Sequence, residues 1–295
     1  MDTQITTQAQ AMPAQQQNCK QIFALASVQN RFAELFSGDK SRAMAFITNV
    51  LSVVNNNALL AKAEPKTVLS AALLAAAVDL PVNPALGMAA IVPFYNGKSG
   101  RTEAQFQVME RGYIQLAQRT GRVARLTVNP VFEGEVEANR FTDDYSFHPA
   151  TSGNIVGYLA YIRLTNGFEK FHYMTIAEIQ QHAQRYSQTA KKGFGLWVDN
   201  FDAMAKKTVL KLLLMRWAPL ATSDSLVKAG EADGAVLKIE KGQAGEMEFV
   251  PEYVDNEDGA AVEQPAEEAS EPQKKAEKSG ADAVKDAMKQ SIKKA

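Results

Sequence analysis

Residues 80–109, LPVNPALGMAAIVPFYNGKSGRTEAQFQVM, are where the chain changes character. Pro81 and Pro84 close a helical pattern, an apolar β-favouring run follows from Met88 to Tyr95, and a polar stretch separates it from a second run, Ala104 to Met109. Two such runs around a glycine-containing turn predict a β-hairpin with its tip at Asn96 to Thr102. Upstream, three stretches have helical character: about Cys19 to Phe36, about Lys40 to Asn55, and Pro65 to Asp79. The last begins with proline in its first turn, where a missing N–H costs nothing. Within it Leu69, Leu73, Ala76 and Ala77 form one apolar stripe.

Downstream, the spacing predicts a helix over Glu110 to Thr120, closed by Gly121. Strands are expected at Val123 to Glu137, Ile155 to Leu164 and Phe168 to Met174, the last two joined by Asn166-Gly167, a two-residue turn signal. Thr175 and Glu178 have capping-box spacing, so a helix is expected from there to about Tyr186. A long final helix is expected over roughly Leu196 to Trp217. The fold class is therefore α+β, with helices packed on a mainly antiparallel β-sheet. The Gln-rich residues 1–18 are expected to be a disordered arm, and 19–222 the core.

Charge is segregated. The formal net charge is −1, yet between Glu231 and Pro272 thirteen acidic residues face only Lys238 and Lys241, a net of −11. From Gln273 onward seven lysines face three acids, a net of +4, which leaves +6 for residues 1–230. A basic core followed by an acidic segment is an electrostatic footprint for a polyanionic partner. Residues 223–272 are expected to be an acidic flexible linker. Residues 273–295 form a basic segment in which Val284, Met288 and Ile292 recur at helical spacing.

The single cysteine, Cys19, excludes a disulfide framework, and His148, His172 and His182 lack metal-ligand spacing, so neither a metal site nor a catalytic residue is expected. No stretch approaches the roughly 18 apolar residues of a membrane span, and the N-terminus has no signal pattern, so a cytoplasmic protein is expected. Gly97-Lys98-Ser99 suggests a phosphate loop, but Val92 stands where the motif needs glycine, and the tripeptide lies between strands. Lys98 and Arg101 are then cations on a hairpin tip, candidates for DNA-backbone contact or for solvation. Asp143, Asp144 and Glu133 are the carboxylates that a rival, metal-dependent nuclease would use.

On the helix from Glu110, Tyr113, Leu116, Ala117 and Thr120 lie opposite Arg111, Gln115 and Gln118, and Arg119 and Arg122 follow at its C-terminal end. In the final helix Val209, Leu210, Leu213, Leu214 and Trp217 make a broad apolar sector with Lys207 and Lys211 to one side. Lys206 falls within that sector and Arg216 at its margin. A cation there needs a partner, either an intramolecular acid such as Asp199 or Asp202 or a phosphate backbone. Tyr95, Phe194 and Trp197 are aromatic candidates for base stacking.

The stretches VDLPVNPALGMAAIVPF, AQFQVMERGYIQLAQRTGRVARL and LWVDNFDAMAKKTVLKLLLMRWAPL, in this order and spacing, resemble three characteristic blocks of the RecT family of phage and prophage annealing proteins. The resemblance covers roughly Ala43 to Leu220. It implies ATP-independent binding of single-stranded DNA, annealing of complementary strands, and assembly of copies into rings or filaments. It implies Arg111, Lys206, Lys207 and Lys211 as DNA contacts. It further implies an exonuclease and the host single-strand-binding protein as partners, no required cofactor, and magnesium at most as an aid to annealing. Glu110 departs from a common aromatic, and Leu212 from a second basic residue after Lys211.

Overall fold

The structure, a computed structural model, describes residues 18–97, 99–139, 141–193, 195–219, 225–233, 235–241 and 247–253. The expected arm, apart from Asn18, and the basic segment 273–295 lie outside the described residues.

The expected first helix is two, α1 (Cys19–Phe23) and α2 (Ala26–Leu35). Asn18 and Gln21 cap α1 reciprocally, and Leu25 turns extended between the helices, which lets the rings of Phe23 and Phe32 stack at 5.9 Å. Helix α3 (Lys40–Asn56) follows, capped by the Asp39 carboxylate. Helix α4 (Pro65–Ala77) is buried on nearly every side, from Val68 through Ala76. Its alanines let neighbours approach closely, and the stripe understated this burial, although Ala77 itself faces solvent.

Strands β1 (Ala89–Asn96) and β2 (Arg101–Val108) form the expected antiparallel hairpin and pack on α4. After helix α5 (Glu110–Arg119), strands β3 (Val123–Phe132), β6 (Ile155–Leu164) and β7 (Glu169–Thr175) make an antiparallel sheet in the order β3-β6-β7. The strand expected to reach Glu137 stops at Phe132, because Glu135 turns back to accept the Phe132 N–H. Val136 then begins a separate hairpin, β4 (Val136–Asn139) with β5 (Asp144–Phe147). Helix α6 (Ile176–Tyr186) has the predicted Thr175–Glu178 capping box. The short α7 (Gln188–Lys192) and α8 (Leu196–Asp199) precede α9 (Phe201–Trp217). The long helix expected from Leu196 is thus broken at Asn200, whose backbone leaves the helical region. Helix α9 lies across the sheet, with Val209, Leu210, Leu213 and Leu214 buried in the same core as Tyr158, Ala160 and Ile162 of β6.

Part of the stretch expected to be a linker lies within the described residues. Within 223–272, residues 225–232 form helix α10 (Ser225–Ala232), which buries Leu226, Ala229 and Ala232 against the core. Strands β8 (Ala235–Lys241) and β9 (Met247–Tyr253) then pair as an antiparallel hairpin, with β8 beside α4 and β2. The acidic composition hid two local patterns that favour this. Leu226, Ala229 and Ala232 recur at helical spacing, and Met247, Phe249 and Tyr253 keep strand alternation. The folded body therefore continues past residue 222.

Candidate nucleic-acid interface

Four of the basic candidates, Arg111, Lys206, Lys207 and Lys211, lie on α5 and α9, which pack against each other. Helix α5 is seated there by Gly112. A Cβ at this position would collide with the Met88 carbonyl and come within 3.0 Å of the Val108 side chain. The same Met88 carbonyl accepts the Met109 N–H at 2.9 Å, so the start of α5 is locked to the base of the hairpin. Tyr113, Leu116 and Ala117 face inward and leave Arg111 exposed, as the helical winding predicts.

Arg111 shares an electrostatic field with α9. Burial pushes the Glu110 carboxyl above its usual range, opposed by Lys206, reinforced by Asp202 and opposed again by Arg111. Lys206, the cation within the apolar sector, is paired one turn back with Asp202 at 2.8 Å. Asp202 also accepts the Tyr158 hydroxyl at 3.1 Å, and burial, with the adjacent carboxylate, raises that phenol well above its ordinary value. Of the two acids expected to serve, the structure uses Asp202.

Lys207 and Lys211 converge on an acid from outside the blocks that suggested them. The Asp233 carboxylate, at the end of α10, lies 3.2 Å from the Lys207 ammonium and 2.8 Å from that of Lys211. It also accepts the Val108 N–H at 2.9 Å and the Tyr113 hydroxyl at 3.1 Å. Burial alone would raise this carboxyl, but the two ammonium groups, with hydrogen bonds from Lys211 and Val108, outweigh it and hold the carboxyl below its ordinary range. Lys207 is therefore enclosed, its side chain 10% exposed, whereas that of Lys211 is 28% exposed.

The remaining candidates are dispersed. Arg101 reaches Glu64 at 2.8 Å. Arg119 donates to the carbonyls of Val78 and Asp79 at 3.4 and 2.9 Å, satisfying the C-terminal end of α4. Arg122 reaches the Pro219 carbonyl at 3.5 Å. Arg216 sits 5.3 Å from the centre of the Trp217 ring, which also carries Lys170 at 4.4 Å. Trp197 is a correction: its ring is 6% exposed and packs edge-on against Phe201 at 6.0 Å, so it offers no face to a base. Tyr95 remains exposed at the hairpin end, and Lys98 and Phe194 lie outside the described residues. Ser99 is engaged locally, its hydroxyl donating to Glu103 at 2.7 Å within the hairpin.

The carboxylates of the nuclease reading do not converge. Asp143 pairs with Lys170 at 2.6 Å, and Glu133 accepts the Ser152 hydroxyl at 2.8 Å. Among the described residues no three His, Cys, Asp or Glu side chains are grouped to hold a metal, and no helix is long and apolar enough to cross a membrane.

Comparison with known proteins agrees with the blocks read from the sequence. The RecT family profile matches residues 44–248, which takes in α5, α9, α10 and β8. An uncharacterised protein of Bacillus subtilis (strain 168), YqaK, is 40% identical over 215 residues, 71% of each chain. Protein RecT of Escherichia coli (strain K12) is 33% identical over 135 residues, 44% of this chain and 49% of its own length. The chain belongs to the RecT family of recombination and single-strand annealing proteins.

Proposed function

We propose that this protein binds single-stranded DNA and anneals complementary strands without nucleotide hydrolysis, acting as an oligomeric ring or filament. The observation that supports this reading is the packing of α5 against α9, with Lys206 and exposed Arg111 both acting on the Glu110 carboxyl, on the basic part of a chain with segregated charge. Base pairing between the strands supplies the chemistry. The protein neutralises phosphates, extends the strands and aligns them, so no catalytic residue or cofactor is required, with magnesium at most an aid. It works in the cytoplasm beside an exonuclease that generates single strands and the host single-strand-binding protein that covers them.

Annealing of labelled complementary oligonucleotides tests this, in the absence of nucleotide and with magnesium as a variable. Accelerated duplex formation with strong salt sensitivity is the expected result, because each neutralised phosphate releases counterions. Loss of labelled strand in magnesium, or no retention of oligonucleotide at low salt, would overturn it.

A further inference from the structure

The Asp233 pocket is built for an anion. Two ammonium groups, a backbone N–H and a phenolic hydroxyl point at one carboxylate, and the cluster of Lys207, Lys211 and Asp233 keeps a net charge of +1. Lys211 opens the pocket toward solvent, while Asp233 closes it from within. Little apolar surface holds Asp233 there: among the buried residues of α10, Leu226 is the one large side chain, beside Ala229 and Ala232. The hold on Asp233 itself is thus electrostatic, and a polyanion competes best with that kind of hold. Downstream of Asp233, eleven more acidic residues follow before Gln273.

We propose that this pocket has two alternative ligands, the Asp233 carboxylate in the free protein and a backbone phosphate in the DNA-bound protein, which makes α10 a latch over Lys207 and Lys211. The proposal rests on the DNA-binding reading above and adds to it the exchanged group and the donors that receive the phosphate, including the Val108 N–H and the Tyr113 hydroxyl. Because docking of α10 and binding of DNA exclude one another, each weakens the other by the same factor.

The test uses the full chain. Amide exchange is measured at residues 225–233 and at the Val108 N–H, with and without a single-stranded oligonucleotide whose retention is checked in parallel. Faster exchange at residues 225–233 is expected on binding, since α10 undocks, while the Val108 N–H passes from carboxylate to phosphate and stays protected. Retained DNA with unchanged or slower exchange at residues 225–233 overturns the latch and leaves the annealing function standing; no retention overturns both. Two variants give an independent reading. Asp233→Asn should tighten single-strand binding on the order of tenfold and steepen its salt dependence by about 0.7 in log–log slope, for the one phosphate the pocket receives. Leu226→Ala, which loosens α10 without leaving a charge unpaired, should shift both quantities in the same direction. Unchanged affinity and slope in a folded Leu226→Ala protein would overturn the proposal even where Asp233→Asn fails to fold.

Discussion

Replacing Gly112 by alanine sets two effects of opposite sign against each other. Alanine inside a helix is favoured over glycine by about 1 kcal/mol, so helix propensity alone predicts a more stable protein. The added Cβ, however, meets the Met88 carbonyl and lies 3.0 Å from Val108 Cγ1. A backbone carbonyl cannot rotate away as a side chain can, and this one is held by the Met109 N–H. Relief requires α5 to move off the hairpin, at an overpacking cost of about 1–3 kcal/mol. The strained Met109–Met88 hydrogen bond adds about 1 kcal/mol. The contact therefore wins, with a net destabilisation of roughly 1–3 kcal/mol. In a domain of this size that lowers Tm by roughly 5 °C. Circular dichroism during heating measures it, and urea unfolding with an unchanged slope would assign it to stability rather than to a looser native state. Moving α5 also moves Arg111 relative to Lys206, so fluorescence anisotropy should show weaker binding of a labelled single strand. A Gly112→Ala protein as stable as the parent, or more stable, would refute the close approach on which this reasoning depends.

Three further outcomes follow from the same geometry. Arg111→Gln should weaken single-strand binding and make its salt dependence shallower by about 0.7 in log–log slope; an unchanged slope would remove Arg111 from the interface. Leu213→Ala, in the buried centre of α9, should cost about 2–5 kcal/mol in chemical denaturation, and a loss below 1 kcal/mol would contradict its packing. The His172 imidazole is held below its ordinary value of 6.5 by burial, Arg216 and Lys170, and that of His182 by burial, Lys211 and Arg185. Below that ordinary value the unfolded chain takes up protons that the folded protein does not, so stability should fall as pH drops through about 6.5. Unfolding free energies at pH 7.5 and 5.5 should differ less in a His172→Gln, His182→Gln protein; equal pH dependence would argue against buried neutral imidazoles.

Much of the fold was legible because its elements carry local signals. The hairpin of residues 89–108, the capping box at Thr175 and the one-sided helix from Glu110 each follow from patterns a few residues long. The breaks at Leu25 and Asn200 were not legible, because both lie within continuous helical patterns and are set by how the flanking rings pack. Trp197 shows the same limit: an aromatic beside a basic helix reads equally as a stacking surface or as core, and its contact with Phe201 decides for core.

The site was legible on one side only. Lys206, Lys207 and Lys211 stand out because cations beside an apolar sector need partners, and α9 itself supplies Asp202, one turn from Lys206. The partner of the other two is separated from them by 26 and 22 residues and is one acid among thirteen in its stretch. An ion pair closed across such a distance leaves no periodic trace, and net charge weighs a buried carboxylate no differently from a solvated one. What distinguishes Asp233 is the helix before it: Leu226, Ala229 and Ala232 turn one face to the core and deliver the next residue to the lysines. The acidic segment therefore begins inside the basic cluster, and a composition that assigns −11 to a linker does not reveal that its Asp233 is buried against Lys207 and Lys211.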